Sequence, residues 1–87
     1  MNNKSVIELV DYGKIEIHLK DILDSRELSK NYLARADDTR FEVIKKWYDN
    51  SIERMDLDVL ARICYVLDCS PSDIIRYNNH NAVKETE

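Results

Sequence analysis

The chain has 87 residues, 44% apolar and 34% charged, with a formal net charge of −4. That length suits one domain, the composition excludes a chain disordered throughout, and so small a core leaves little room for a deep substrate cavity. A single Gly and a single Pro argue against a sandwich or barrel, whose strands need turn residues about every 8–12 positions.

No apolar run approaches the roughly 18 residues of a membrane span. The N-terminal residues lack the pattern of a secretory signal, so a cytoplasmic protein is expected. Met1 to Ser5 are mostly polar. Val6 to Val10 form a short β-rich run, and Asp11-Tyr12-Gly13-Lys14 is a turn signal. Ile15, Ile17 and Leu19 then alternate with Glu16 and His18, so the two runs suggest a hairpin; a flexible arm is the alternative. A lone hairpin is marginal in water, so it must pack on the helical body or on a second copy.

From Leu19 the period becomes helical, with Leu19, Ile22, Leu23 and Arg26 on one side. Leu28 closes that segment. Ser29 is a candidate cap for a second helix, Lys30 to Ala36, with Leu33 inward. Asp37-Asp38 interrupts. Thr39 and Glu42 fit a capping box for a third helix from Arg40 to Tyr48, with Val43, Ile44 and Trp47 on one face. Asn50 suits the left-handed end of that helix. A fourth helix opens near Met55 or Asp56, with Leu57, Leu60, Ala61, Cys64 and Leu67 as its stripe, flanked by Ile63 and Val66. Ser70-Pro71-Ser72-Asp73 marks the start of a fifth helix carrying Ile74, Ile75 and Tyr77. The polar tail from Asn78 is expected to fray. The expected division is an arm or hairpin over 1–17, a helical domain over 18–77 and a flexible tail over 78–87.

Cys64 and Cys69 lack the two-residue gap of a zinc knuckle or redox pair. Continued helical spacing sets them about 140° apart, so they are expected to stay reduced and unbridged. His18 and His80 have no partner at ligand spacing, and no metal site or cofactor is expected. From Ser29 to Lys46 the bases Lys30, Arg35, Arg40, Lys45 and Lys46 outnumber Asp37, Asp38 and Glu42, a local +2 that leaves −6 elsewhere. An ordinary solvated surface accounts for so mild an asymmetry on its own.

The second and third predicted helices are joined by a few residues, with small Ala34 where their backbones would approach. Leu33, Ile44 and Trp47 would fill the wedge behind them. Arg40, Phe41, Glu42, Lys45 and Lys46 would then face outward, on a helix that a DNA major groove is wide enough to admit.

The stretch from Leu28 to Arg35, followed by Phe41 to Tyr48, resembles the helix-turn-helix of Cro and phage-repressor (XRE) type regulators. Asp58 to Ile75 is similar to the last two helices of that family. The resemblance covers roughly residues 18–77. It implies an all-α, five-helix, lambda-repressor-like domain whose third helix is the recognition helix. It places phosphate contacts near Ser29, Lys30, Arg40 and Arg54, and base contacts on Phe41, Glu42, Lys45 and Lys46. Lysine can donate to guanine, Glu42 can accept from cytosine, and Phe41 can pack on a thymine methyl. Three alternatives stay open: Glu42 bound in the capping box, Phe41 packed on Tyr32, and Lys45 simply solvated. Asp37, Asp38 and Thr39 stand where the family commonly has an apolar residue, Gly and an apolar residue. Glu27 stands at another common Gly.

The expected function is a sequence-specific DNA-binding regulator of the repressor kind, working as a homodimer on double-stranded DNA. Its dimer contacts are expected jointly from Ile74, Ile75 and Tyr77 and from the N-terminal hairpin, with the DNA itself as the other source. The alternative is an antitoxin-like or antirepressor-like protein-interaction module. No catalytic set, phosphate loop or small-molecule site is expected.

Overall fold

The structure is a computed structural model that describes residues 12–79. The elements in order are β1 (Lys14–Ile17), α1 (Leu19–Ser25), α2 (Lys30–Asp37), α3 (Phe41–Tyr48), α4 (Leu57–Leu67), α5 (Pro71–Ile74) and β2 (Ile75–Asn78). Each helix is rooted by buried apolar residues, three or four apart in α1 and α3 and adjacent in α2. Leu19 and Leu23 are buried in α1, Leu33 and Ala34 in α2, and Ile44 and Trp47 in α3. Trp47 is the largest side chain in this core and is 2% exposed.

In α4 the buried positions are Val59, Leu60, Ile63 and Leu67, not the expected Leu57, Ala61 and Cys64 side. Leu57 is 73% exposed, Ala61 is exposed and Cys64 is half-buried. The helix turns toward Ile63 because that side chain removes more apolar area from water than alanine or cysteine does.

Local caps set several of the starts. The Ser29 hydroxyl accepts from the Tyr32 N–H at 2.9 Å. Asp56 accepts from the Asp58 and Val59 N–H groups at 2.9 and 3.3 Å. Asp73 reaches back to the Ser70 N–H at 2.9 Å, with Pro71 in the first turn of α5. The expected box on α3 does not form. Its cap is Arg40, one residue past Thr39, with no side-chain bond; the Thr39 hydroxyl lies in the turn and donates to the Asp37 carbonyl at 3.2 Å.

The ends of α1, α2, α3 and α4 share one device. Glu27, Asp38, Asn50 and Asp68 have φ of 58°, 55°, 59° and 52°. In each case the next residue's N–H bonds back to the last turn, as in Thr39 N to Ala34 O (3.0 Å) and Cys69 N to Cys64 O (3.1 Å). This is the left-handed helix stop, made here without glycine. Asn50 also accepts from the Ile17 N–H at 2.8 Å, which ties β1 to the end of α3.

β1 and β2 pair antiparallel, with Lys14 opposite Asn78 and Ile17 opposite Ile75. The predicted hairpin thus supplies one strand of a two-stranded sheet. Its other run, Val6 to Val10, lies outside the described residues. Gly13 has φ of 82°, and a Cβ there would stand 2.5 Å from the Asn78 carbonyl oxygen, so glycine is required. The fifth helix ends at Ile74, which corrects the expected helical placement of Ile75 and Tyr77. It also moves Asn78 from the expected tail into a strand. Past Ile74 the backbone finds ladder partners on β1 that another helical turn would forgo, and β-branched Ile75 favours the extended form. The His18 N–H donates to the Ile74 carbonyl at 2.6 Å and joins both ends of the fold.

Candidate nucleic-acid interface

Helix α3 has two faces with opposite chemistry. Ile44 and Trp47 face the core, with Val43 and Tyr48 half-buried beside them. Phe41, Glu42, Lys45 and Lys46 are exposed on the other side. The anchored face holds the helix rigidly, and the short α2–α3 connection sets its angle to the body.

The structure separates the predicted base contacts into engaged and free groups. Lys45 is drawn to Asp49, at 2.8 Å one turn along, and this bond holds the Asp49 carboxyl below its usual range. So exposed a pair is weak and readily exchanged. Lys46 and Glu42 make no side-chain hydrogen bond or ion pair among the described residues, so Glu42 is not consumed by a capping box. Phe41 is 37% exposed. It forms one wall of a groove of about 520 Å³ with Asn31, Ala34, Arg35, Thr39 and Arg40, between α2 and the start of α3.

The predicted phosphate contacts fall at three places. Ser29 caps α2 through its oxygen lone pair, which leaves the hydroxyl proton able to donate outward. Arg40 is exposed at the start of α3. Arg54 is exposed beyond the end of α3, where it shares a groove with Lys46, Ser51, Ile52 and Glu53. Lys30 is more occupied than expected. Its ammonium stands 4.3 Å from the centre of the Tyr48 ring. The Tyr48 hydroxyl in turn donates to Asp24 at 2.9 Å, and Lys20 bonds the same carboxylate at 2.9 Å. Those two donors hold the Asp24 carboxyl below its usual range.

The last residue of α2 is the least comfortable in the fold. Asp37 is 3% exposed, and neither carboxylate oxygen has a hydrogen-bond partner. Burial pushes its pKa up to about 6, against the opposing charge of Arg62. Asp37 thus presents no charge at the surface, whereas Asp38 is exposed. Arg62, on α4, was not singled out in the sequence. It donates to the Asp37 and Asp38 carbonyls at 3.2 and 2.9 Å and pairs with Asp58 at 3.0 Å. One remote side chain thus caps α2 and fixes the turn that aims α3. No sequence spacing signals it, because α2 and α4 meet only in the folded chain.

The residues expected at a dimer contact divide likewise. Ile74 is fully buried within its own subunit and offers no surface to a second chain; Ile75 is half-buried. Tyr77 is 59% exposed and stands opposite Ile15, also 59% exposed, across the sheet. The Tyr77 hydroxyl donates to the Tyr12 carbonyl at 2.6 Å. Sequence spacing missed Ile15 as part of this face because its strand partner lies at the other end of the chain.

His18 bonds Asp21 at 3.1 Å and Glu16 at 3.3 Å through different ring nitrogens, partners that spacing did not suggest. The two carboxylates lie on opposite edges of the ring. Among the described residues no group of three could hold a metal ion, and no helix is long and apolar enough to cross a membrane.

Comparison with known proteins agrees with this architecture. Residues 18–80 match the model of the Cro/C1-type HTH DNA-binding domain. No curated protein matches. Among solved structures, the chain is similar to a crystal structure from Bacteroides fragilis described as a "putative DNA-binding protein". The TM-score is 0.64 at 21% identity, covering 72% of this chain and all of that one. The fold is shared at that identity, and the matched domain spans most of the sequence. The chain belongs to the Cro/C1-type helix-turn-helix DNA-binding family.

Proposed function

We propose that the protein is a sequence-specific transcriptional regulator of the repressor kind, which inserts α3 into the major groove of duplex DNA. The observation that carries this reading is the outer face of α3. It presents Phe41, Glu42 and Lys46 free of intramolecular side-chain bonds while Ile44 and Trp47 lock the opposite face. A groove reader needs this combination, since base edges are distinguished by donors and acceptors held in register. Lys46 would donate to guanine, Glu42 would accept from cytosine and Phe41 would meet a thymine methyl. Lys45 would contribute by leaving Asp49. Ser29, Lys30, Arg40 and Arg54 would hold phosphates, for which Lys30 would swing from Tyr48. The net charge of −4 does not oppose this reading, because charge distribution over the binding face governs association.

Two copies would bind half-sites about 34 Å apart, one turn of duplex. The Ile15–Tyr77 face would supply the dimer contact, with Ile75 at its margin and Ile74 supporting it from inside. Substituting Ile15→Asp is expected to convert the dimer to monomer in sedimentation; an unchanged dimer would remove this face from the role.

Selection from a random duplex pool at fixed salt tests the main reading. A defined site is expected, with affinity falling steeply as salt rises, by about 0.9 in logarithmic slope for each phosphate neutralised. Lys46→Ala should relax preference at one base position, whereas Arg54→Ala should weaken all duplexes alike. If both variants keep full binding to every duplex, α3 is not the reader. The protein-interaction module would then be the better description.

A further inference from the structure

The end of α4 brings together two cysteines that regular helical spacing would hold apart. Asp68 turns the chain back at φ of 52°. The Cys69 N–H then bonds the Cys64 carbonyl at 3.1 Å. The two thiols are neighbours in effect as well: Cys69 offsets part of the upward push on the Cys64 thiol, and Cys64 adds to that on Cys69. Both are free and half-buried. A backbone bond that draws the two residues together is what an unstrained disulfide requires, its Cα atoms lying roughly 4–7 Å apart. The two thiols are free, as expected, but the angle counted from sequence does not apply to Cys69, which lies beyond the end of α4.

We propose that Cys64 and Cys69 form a redox pair, closing to an intrachain disulfide by exchange with a small-molecule disulfide. The Cys64 thiol loses its proton to solvent, and the thiolate attacks one sulfur of the oxidant. The oxidant's S–S bond breaks and its other half leaves as a thiolate. The Cys69 thiol then loses its proton and attacks the Cys64 sulfur, releasing the second half. Overall, two protein thiols are oxidised by two electrons to one disulfide, and one disulfide oxidant is reduced to two thiols. Cys64 is the attacking group because Cys69 favours its thiolate, whereas Cys64 disfavours that of Cys69. Burial pushes both thiols up and the Asp73 carboxylate adds to the effect, while the Arg26 cation opposes it at Cys69. Closure is therefore slow near neutral pH and faster in alkaline solution. The bond would tie the last turn of α4 to the segment entering α5. That segment leads to buried Ile74, whose carbonyl receives the His18 N–H. The pair lies apart from the proposed DNA face, so the inference stands or falls independently of that reading.

The test is to expose the full chain to oxidised glutathione, with and without guanidinium, and to count thiols and weigh the tryptic peptide 63–76. In the folded protein both thiols are expected to disappear, with the peptide two hydrogens lighter and carrying no glutathione. Cys64→Ser and Cys69→Ser should each accumulate one glutathione adduct instead. At equal glutathione ratios, the folded chain should favour the disulfide about tenfold more than the unfolded chain. Stable adducts on the folded wild-type chain, covalent dimers, or equal closure in guanidinium would each overturn the proposal.

Discussion

The chain leaves α2 through Asp38 and α4 through Asp68, two aspartates with nearly the same left-handed backbone, φ 55° and 52°. After Asp68 the chain is held by its neighbours. Asp73 bonds the Ser70 N–H and Pro71 starts the next helix. After Asp38 the neighbours do little, because Thr39 makes no cap for α3. The turn is held from outside, by Arg62, and shelters a carboxylate without a partner. The turn that aims the proposed reading helix is thus the one that depends on tertiary contacts. Equal backbone conformation does not imply equal local stability.

The largest expected effect that would sharpen this contrast is at Asp37. Replacing it with Leu should stabilise the fold by about 1–3 kcal/mol at pH 8, the scale of an unsatisfied buried polar group. Asp37→Asn should chiefly change the pH dependence. The folded carboxyl ionises at about 6 against an ordinary 3.8, so between those values the folded state binds more protons than the unfolded state. Stability should therefore fall as pH rises from about 4 to 6 and level off above. Denaturant melts across that range should show this slope in the wild type and not in Asp37→Asn. A slope that survives the substitution would assign it to another group.

Next in size is Arg62→Met, expected to cost about 1–2 kcal/mol through the two uncapped carbonyls. It should also move the Asp37 transition to higher pH by removing the nearby cation. It should weaken DNA binding without changing site preference, since α3 keeps its surface but loses its fixed angle. Ser70→Ala, at the other turn, should cost about 1 kcal/mol and leave DNA binding intact. Equal DNA-binding losses from Arg62→Met and Ser70→Ala would break the comparison. The smallest effects should come from Asp38→Gly and Asp68→Gly. Each should stabilise by about 0.5–1 kcal/mol, because glycine takes the left-handed conformation without a Cβ clash. Thermal melts of the two single variants would show whether the turns carry the same strain.

Much of this was legible in local chemistry. Ser29, Asp56 and Ser70-Pro71-Asp73 marked the starts of α2, α4 and α5, and Asn50 marked the end of α3, because caps act over three or four residues. Ile44 and Trp47 were legible from helical period. The capping box at Thr39 was misleading, since α3 takes Arg40 as its cap and leaves Thr39 in the preceding turn. The conversion of Ile75 to Asn78 into a strand was not legible, because its ladder partner is some sixty positions away in sequence. For the same reason Lys30 could be named as a base but not seen stacked on Tyr48. The Cys64–Cys69 contact stayed hidden because spacing was counted along a helix that stops between them.

Mapping of amide chemical shifts on the selected duplex tests most directly whether the outer side of α3 meets DNA. Perturbations are predicted at Arg40 to Lys46 and around Ser51 to Arg54, with Ile15 and Tyr77 changing only as dimer contacts. Shifts centred on the β1–β2 sheet, with Glu42 and Lys46 unmoved at saturation, would contradict the account.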